Sequence, residues 1–336
     1  MFESLSISYS IGLFVVSALI IWYFSNKLSG LVDFIDDAFN LGDAFGGTIL
    51  LSIVTNLPEL TIVTMGTIQG DTAMATGNIL GGIAVQTLLL SLFDFASRKE
   101  KKPLTTLTSH SNSIAQGLFL CVILALVLMG TQFQRVLMNH RFAPIEVSIL
   151  VVWLLSLLVL KKSEKSQLLP KPEEKRTVQD ARSGRMAILS LIGIGLLILV
   201  FGVLLTKASE NIAAHFEIDG VVFGATILAL VTSLPEISGG LAFVRERRYV
   251  PIISDIFGGN AFLPVLFLLA NLISHESVLT EAHKSDIYLA ALSIAMTLVF
   301  IIGMVIKSPR RFWGMGLDSW TALVIYILGI AGLVLV

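Results

Sequence analysis

The stretch LSIVTNLPEL, residues 51–60, has the composition of a membrane helix that is interrupted part-way. Pro58 breaks the apolar run, and Glu59 places a carboxylate directly after the break. A second stretch, LALVTSLPEI at residues 228–237, repeats the same interruption 177 residues later. A proline inside a helix and an acidic residue in hydrocarbon are each costly, so their joint occurrence at two places indicates a function.

The overall composition excludes a soluble domain. Of the 336 residues, 55% are hydrophobic and 14% are charged, and the mean hydropathy is +0.85. A water-soluble fold cannot bury that much apolar surface, whereas long apolar runs are typical of a polytopic membrane protein. The first apolar run has no basic stretch before it and no small-residue cleavage site, which favours a retained span over a removed signal peptide.

Apolar runs of roughly 20 residues predict an all-α membrane protein with ten transmembrane helices. The second and seventh spans contain the Pro-Glu break. A hydrophilic segment rich in Lys, Glu and Pro divides the chain into a first half (residues 1–160), a linker (161–184) and a second half (185–336). The predicted spans are residues 9–28, 43–69, 72–95, 113–130, 143–161, 185–207, 219–244, 250–273, 285–306 and 318–336.

The distribution of basic residues predicts the orientation. With ten spans, 19 of the 23 lysines and arginines fall on one side of the membrane. Cytoplasmic loops of membrane proteins carry such an excess, whereas loops that are merely solvated would show no bias. The sequence therefore predicts a multi-pass protein of the cell membrane with a cytoplasmic linker and with both termini outside.

The two halves of the chain are related by one offset. A shift of 177 residues places GTILLSIVTNLPE (47–59) on GATILALVTSLPE (224–236), with seven of 13 positions identical. The same shift places GNILGGIA (77–84) on SDIFGGNA (254–261) without a gap. Two blocks at one offset predict an internal duplication. Because the offset spans five helices, the repeats cross the membrane in opposite directions, as in secondary transporters.

Each break exposes oxygen atoms inside the membrane. Proline has no N–H, so Pro58 releases the carbonyl of Val54 and Pro235 releases that of Val231. A free carbonyl in hydrocarbon persists only where protein, water or an ion is its partner. Carbonyl, hydroxyl and carboxylate oxygens are the ligands that Ca²⁺ prefers. The candidate ligands at the breaks are Glu59, Glu236, Thr55, Thr232, Asn56 and Ser233.

Further polar candidates lie on the third and eighth spans, beside the pairs of adjacent glycines. Asp255 follows the start of its span by only five residues, so an access path or a structural pair is an alternative to a central role. Hydroxyl back-bonding is the alternative for the two threonines, and interhelical hydrogen bonding is the alternative for Asn56 and Ser233. The further candidate ligands are Asn78, Gln86, Asn260 and Asp255.

The paired carboxylates suggest exchange as the chemistry. Two opposed carboxylates repel each other in a medium of low dielectric constant. One divalent cation, two protons or two monovalent cations would each cancel their charge. A site that is never left empty and charged would therefore alternate between such occupants.

The motifs TNLPE (55–59) and TSLPE (232–236), each followed by a glycine-rich block, resemble those of the cation/calcium exchanger superfamily, which includes the sodium/calcium exchangers. The resemblance covers essentially the whole chain. It implies that Glu59 and Glu236 are the central ion ligands, and that the neighbouring Thr, Asn and Ser residues add backbone or side-chain oxygens. It also implies a scaffold of eight core helices along which spans one and six slide to alternate access.

The chain departs from the pattern of that superfamily at several neutral positions. Gly82 and Gly259 stand where the family usually has serine, and Ile83 stands where it has asparagine. Asn260 keeps the second asparagine, while the later polar position is Gln86 in the first half but Leu263 in the second. These losses weaken the expectation of several sodium sites.

The sequence thus predicts a secondary active antiporter that moves Ca²⁺ in exchange for Na⁺. A Ca²⁺/H⁺ exchanger without a sodium role is an alternative, and a non-transporting membrane sensor or scaffold is an alternative of another class. An intramembrane protease would need a GxGD or HExxH motif, and the sequence contains neither, so no enzyme is predicted. No cofactor and no nucleic acid are expected; the partners are inorganic cations and the bilayer, and the oligomeric state is left open.

Overall fold

The computed structural model describes residues 6–39, 53, 55–133, 144–167, 181–275 and 277–335. Most of these residues are helical, and a small hairpin pairs β1 (Arg311–Phe312) with β2 (Met315–Gly316). The helices are α1 (Ile7–Phe39), α2 (Leu57–Gln69), α3 (Thr72–Ala96), α4 (Leu104–Leu107), α5 (Ser111–Gly130), α6 (Pro144–Gln167), α7 (Ala181–His215), α8 (Gly220–Thr232), α9 (Leu234–Arg245), α10 (Val250–Phe262), α11 (Leu266–Ser274), α12 (Lys284–Ile306) and α13 (Leu317–Leu333).

Six helical segments in the described part of the chain are long and apolar enough to cross a bilayer, and the bent pair α8–α9 counts as a seventh. Two shorter apolar helices match the fifth and tenth predicted spans, and α2 matches the end of the second. A multi-pass helical protein is therefore confirmed, while the count of ten stays a prediction. The six segments are Ile7–Leu28, Thr72–Ala96, Ser111–Gly130, Met186–His215, Val250–Ser274 and Lys284–Ile306.

The apolar side chains divide into a packed interior and an outward face. The main core contains fully buried residues from α3, α5 and α10, among them Ile83, Leu124 and Phe257. Large apolar residues of α1 and α7 instead point outward, and Leu196 is 58% exposed. An apolar exterior is what a lipid environment requires and what water would penalise.

The pair α1 and α7 has its own interface, separate from the main core. Ala18 and Ile21 of α1 pack with Leu205 and Ile212 of α7 in a second apolar cluster. The same cluster also contains residues of α2, α3 and α8, so the pair packs against the rest of the bundle. The predicted first and sixth spans are therefore direct neighbours.

The predicted break in the seventh span is confirmed. The axes of α8 and α9 differ by 44°, and the residue between them, Ser233, has φ −83° and ψ 4°. Pro235 lies in the first turn of α9, where a missing N–H costs nothing. In the second span, Asn56 has a similar conformation, φ −94° and ψ 20°, before α2 begins. Val54, whose carbonyl Pro58 was predicted to release, lies outside the described residues.

Several helices extend further than the sequence predicted. Helix α1 continues eleven residues past its predicted end at residue 28, and α6 and α7 both extend into the predicted linker. A helix that leaves the bilayer keeps its internal hydrogen bonds, so polarity alone does not end it. The described ends of the linker are therefore helical. Residues 168–180 lie outside the description, and the division into halves stays a prediction.

Helix α3 crosses α8 at very short range through small residues. A Cβ atom added to Gly77 would lie 2.6 Å from the carbonyl oxygen of Val221, and one added to Gly81 would lie 2.7 Å from that of Ala225. Only glycine permits such an approach of two backbones. The third predicted span therefore packs closely against the first part of the broken seventh span.

Candidate functional site

The two motif glutamates occupy equivalent places in the two restarted helices. Glu59 is the third residue of α2 and Glu236 is the third residue of α9. The first turn of a helix favours a carboxylate because its N–H groups and dipole are positive there. Both side chains are buried, with 1% and 8% exposure, and their charges are close enough to interact. The fold thus brings the two carboxylates together from opposite halves of the chain.

Those carboxylates lack ordinary hydrogen-bond donors. Within the described part of the chain, neither carboxylate oxygen of Glu59 has a hydrogen-bond partner. The Oε2 atom of Glu236 has none either. The Thr232 hydroxyl lies beside Glu59 but donates to the carbonyl oxygen of Ala229 at 3.2 Å. A buried carboxylate without donors is stable only with a proton or a cation. The pair therefore has the properties of a cation site.

The other residues predicted at the breaks lie within four residues of a glutamate along the chain. Asn56, Thr232 and Ser233 are buried. The Asn56 amide lies 3.4 Å from the Thr55 hydroxyl oxygen. Ser233 donates to the carbonyl oxygen of Ala229 at 2.7 Å, as Thr232 also does. Both hydroxyl hydrogens are thus used in hydrogen bonds to a backbone carbonyl of α8, while the oxygen lone pairs stay available to a cation.

Asn260 joins the two halves beside the site. Its amide nitrogen donates to the carbonyl oxygen of Ile83 at 3.4 Å and to the Thr87 hydroxyl at 3.2 Å. Its Oδ1 atom has no partner within the described residues, so the oxygen is free to accept a donor or a cation. Sequence reasoning missed Thr87; a single hydroxyl in the apolar run VQTLLL was the signal that could have indicated it.

Asn78 and Gln86 are buried on α3, as predicted ligands should be. No hydrogen bond within the described residues reaches either amide atom of Asn78 or the amide nitrogen of Gln86. Unsatisfied amides in a membrane interior are costly. Both residues are therefore unsatisfied polar groups on α3, and no described contact joins them to the glutamates.

Asp255 lies on α10 close enough to Glu236 for their charges to interact. It is nevertheless not part of a tight cluster, because no three His, Cys, Asp or Glu side chains among the described residues are placed to hold one metal ion. The structure thus brings together Glu59 and Glu236 and leaves Asp255 to one side. A cation at the pair would depend on neutral oxygens for the rest of its coordination.

The positions that depart from the superfamily pattern lie near one another. A Cβ atom on Gly82 would lie 3.9 Å from a methyl carbon of Leu263, which is fully buried. A Cβ on Gly259 would lie 3.9 Å from the Asn56 amide nitrogen. Gly82 and Leu263 thus form an apolar wall at the place where the superfamily pattern has two polar side chains.

The sequence model of the family described as sodium/calcium exchanger protein matches residues 9–163 and 186–335. These two segments account for most of the chain. The chain belongs to the sodium/calcium exchanger family. This membership identifies it as a membrane transport protein and agrees with the oxygen-rich pair of breaks.

A relative of similar length and two solved exchanger structures of similar fold match this chain over most of its residues. The inner membrane protein YrbG of Escherichia coli is 23% identical over 307 residues, which cover 90% of this chain and 91% of YrbG. The structure of the H⁺/Ca²⁺ exchanger CAX superposes with a TM-score of 0.74 at 13% identity, covering 97% of this chain and 82% of CAX. The sodium-calcium exchanger NCX_Mj superposes with a TM-score of 0.61 at 20% identity, covering 97% and 99%.

In this member of the exchanger family, α1 and α7 each contact the broken helix of the other half. The Trp22 indole of α1 donates to the Ser238 hydroxyl of α9 at 2.5 Å. Gly202 of α7 packs on Thr61 of α2, where an added Cβ would lie 2.7 Å from the Thr61 methyl carbon. Thr61 and Ser238 are related by the 177-residue shift, and each lies two residues after its glutamate. Sequence reasoning did not indicate these contacts, because they depend on the packing of distant helices.

Proposed function

We propose that the protein is a secondary active antiporter that moves Ca²⁺ across the membrane by alternating access. The observation that carries the proposal is the buried pair Glu59 and Glu236, in which three of the four carboxylate oxygens have no hydrogen-bond partner among the described residues. Two adjacent negative charges in a membrane interior need two positive charges. One Ca²⁺ ion supplies both, and carboxylate, carbonyl and hydroxyl oxygens suit its coordination.

Glu59 and Glu236 would be the central ligands. Thr55, Thr232, Asn56, Ser233 and Asn260 would contribute neutral oxygens. Asn78 and Gln86 would orient or hydrate the ion from α3, since both are buried and have amide atoms without a hydrogen-bond partner among the described residues. Glutamate oxygens and backbone carbonyls would coordinate Ca²⁺ without forming covalent bonds. The ion can therefore dissociate once the site opens to one face of the membrane.

The proposed architecture has ten spans in two inverted repeats. Two contacts between equivalent residues support it. Glu59 interacts with Glu236, and Asn260 donates to the carbonyl oxygen of Ile83; each pair is separated by the 177-residue shift. Equivalent residues meet where a two-fold axis passes between repeats. The family match in two segments, 9–163 and 186–335, is consistent with two halves joined by a linker.

The proposed orientation places the basic loops in the cytoplasm. The loop between α9 and α10 carries Arg245, Arg247 and Arg248, and the segment after α12 carries Lys307 and Arg310. Both loops then lie on the inner face together with the linker, and both termini lie outside.

The coupling ion has two candidates. Sodium is the first, because the chain belongs to the sodium/calcium exchanger family. The proton is the second, and the wall formed by Gly82 and Leu263 favours it, because this wall offers no oxygen to an additional Na⁺ ion. Two protons on Glu59 and Glu236 would balance one Ca²⁺ without further ligands.

Uptake of ⁴⁵Ca²⁺ into proteoliposomes tests both parts of the proposal. We expect uptake driven by an outward sodium gradient if sodium is the partner, and uptake driven by an outward proton gradient and abolished by a proton ionophore if the proton is. The double variant Glu59→Gln, Glu236→Gln should remove transport in either case.

A matched control is Glu146→Gln. Glu146 is another buried glutamate, but it lies at the start of α6 and accepts a hydrogen bond from Ser277 at 2.8 Å, away from the two breaks. We expect this variant to transport Ca²⁺ like the wild type. Transport by the double variant at the wild-type rate would overturn the site assignment, and absence of Ca²⁺ flux in the wild type under every gradient would overturn the function.

A further inference from the structure

A cavity lies between the ends of α12 and α13, and none of the residues that line it belongs to the candidate cation site. Its volume is about 230 Å³. The apolar part of its lining includes Val299, Ile302, Ile306 and Leu317. Ile302 and Leu317 are 53% and 68% exposed. Because exposed apolar side chains of a membrane protein face lipid, this wall of the cavity borders the bilayer.

The size and the position of the cavity indicate which kind of molecule fits it. A pocket that encloses a small-molecule ligand has roughly 300–1,000 Å³. A cavity of about 230 Å³ therefore holds only part of a larger molecule. Two spans end at this level, because α12 ends at Ile306 and α13 begins at Leu317. A phospholipid meets both conditions, since its acyl chain lies in the hydrocarbon and its headgroup lies where the spans end.

Arg310 provides a positive charge in the lining of this cavity. The residue is exposed, and no hydrogen bond or ion pair joins it to another residue in the described part of the chain. The next residue, Arg311, is instead held by the fold. It pairs with Asp94 at 3.2 Å and donates to the carbonyl oxygen of Lys102 at 2.7 Å. The guanidinium group of Arg310 is thus available to a phosphate, whose oxygens match its fork of donors.

One acidic residue, Asp318, also lines the cavity, but its oxygen atoms are directed towards the protein. The Oδ1 atom accepts a hydrogen bond from the N–H of Ser319 at 2.9 Å. The Oδ2 atom is buried, and a Cβ atom added to Gly303 would overlap it, so this oxygen lies directly against α12. Asp318 therefore does not pair with Arg310, and the accessible charge in the lining is positive.

Exposed aromatic side chains beside the cavity indicate the level of the membrane surface. Trp313, at the tip of the hairpin, is 85% exposed, and Phe312 is 64% exposed. The Trp320 indole of α13 donates to the carbonyl oxygen of Phe312 at 2.8 Å and joins the hairpin to the helix. Tryptophan is enriched where a membrane protein crosses the headgroup region. Because β1 begins directly after Arg310, this arginine lies at the same level.

We propose that the cavity binds an anionic phospholipid, with a segment of one acyl chain between α12 and α13 and with the phosphate on Arg310. A negatively charged lipid is favoured over a zwitterionic one because Lys307, which is also exposed, adds a second positive charge to the segment between the two helices. The lipid site is separate from the glutamate pair, so it can be tested whether or not the protein transports Ca²⁺.

Thermal unfolding of the purified protein in detergent, with increasing amounts of phosphatidylglycerol, tests the choice of lipid. A ligand that binds only the folded protein raises the unfolding temperature. We expect saturable stabilisation by phosphatidylglycerol, weaker stabilisation by phosphatidylcholine and none by inorganic phosphate. Equal stabilisation by the two lipids would overturn the preference for a negative charge. Equal stabilisation by inorganic phosphate would assign the site to a free anion and overturn the lipid.

A pair of charge variants distinguishes the cavity from a diffuse attraction to the membrane. Arg310→Gln should raise the Kd for phosphatidylglycerol by about fivefold, the usual contribution of one basic side chain to the binding of an anionic lipid. Arg310→Lys keeps the charge and should restore most of the affinity. Arg248→Gln is the matched control, because Arg248 is exposed on the loop between α9 and α10 and does not line the cavity. Its Kd should stay within about twofold of the wild-type value. Equal effects of Arg310→Gln and Arg248→Gln would overturn the proposal.

A second pair of variants tests the place of the acyl chain. Thr321→Phe fills the cavity from α13, and it should raise the Kd at least as much as Arg310→Gln does. Val324→Phe adds the same ring one turn later, outside the cavity, and should bind phosphatidylglycerol like the wild type. Both original residues are exposed, so neither variant disturbs the core. Wild-type affinity in Thr321→Phe, or an equal loss in Val324→Phe, would show that no acyl chain enters the cavity and would overturn the proposal.

Discussion

Glu59 and Glu236 occupy the same position of a duplicated motif, but the protein surrounds them differently. Glu59 is 1% exposed and neither of its oxygens has a donor in the described part of the chain. Glu236 is 8% exposed and has Asp255 nearby. The residue in the first half that corresponds to Asp255 is the neutral Asn78. The two carboxylates are therefore close to each other, and Glu236 has a further acidic residue nearby.

One pair of corresponding glycines allows the packing of the two halves to be compared. Gly81 packs on Ala225, whereas no described atom lies within 4 Å of a Cβ added to its counterpart Gly258. Residue 48, which corresponds to Ala225, lies outside the described residues. Substitutions at paired positions test how far the surroundings of the two halves differ.

The largest effect is expected at the glutamates themselves. Glu59→Gln should weaken Ca²⁺ binding by about 100-fold or more, because nothing nearby replaces the lost charge. Glu236→Gln should weaken it by about tenfold, since Asp255 keeps a negative charge close to the ion. Isothermal titration calorimetry of the purified variants measures both values.

A control for this ranking is Glu236→Gln combined with Asp255→Asn. We expect the combined variant to lose as much affinity as Glu59→Gln does. Equal losses in the two single variants would show that the surroundings do not distinguish the carboxylates, and the comparison would then fail.

The next effect concerns the paired glycines. Gly81→Ala should destabilise the protein by about 2 kcal/mol, because the new methyl group overlaps the backbone of α8 at Ala225. Gly258→Ala is the comparison variant and should cost less, since no described atom lies within 4 Å of its added Cβ and alanine favours a helix. Thermal unfolding in detergent, followed by tryptophan fluorescence, measures the difference. A loss of stability in Gly81→Ala no larger than that in Gly258→Ala would contradict the overlap with α8 as its cause.

A smaller effect is expected at the contact between the halves. Asn260 and Thr87, which are 173 residues apart in the chain, hydrogen-bond at 3.2 Å. A double-mutant cycle with Asn260→Leu and Thr87→Val should give a coupling energy of about 0.6 kcal/mol, the usual size for such bonds in membranes. Thermal unfolding of the four proteins measures it, and a coupling energy of zero would remove Asn260 as a link between the repeats.

The smallest effect is expected where α1 meets α9. Trp22→Phe removes the hydrogen bond to Ser238 and should weaken this contact by about 0.6 kcal/mol. If the contact holds the protein in one state, the exchange rate should change by about two- to threefold. Trp313→Phe is the matched control, because Trp313 is 85% exposed on the hairpin. Equal rates for wild type and Trp22→Phe would argue against a role in gating.

Much of the fold and part of the site could be predicted from the sequence. The break at Ser233 and Pro235 was predictable because proline lacks an N–H wherever it occurs. The membrane class followed from the composition in the same way. Helix ends were less predictable: α1 continues to Phe39, since a helix outside the bilayer is limited by local propensity and packing rather than by polarity. Thr87 was missed because its importance depends on Asn260, which is 173 residues away.

The sequence by itself determined the chemistry of the candidate site, which consists of two prolines that interrupt helices and two carboxylates directly after them. The missing proline N–H and the acidic side chain are covalent properties of these residues, so they are known before the chain folds. The tertiary structure decided which distant residues meet. Gly81 packs on Ala225, and Asn260 donates a hydrogen bond to the Thr87 hydroxyl. Such contacts join residues far apart in the chain, so a repeated motif by itself cannot reveal them.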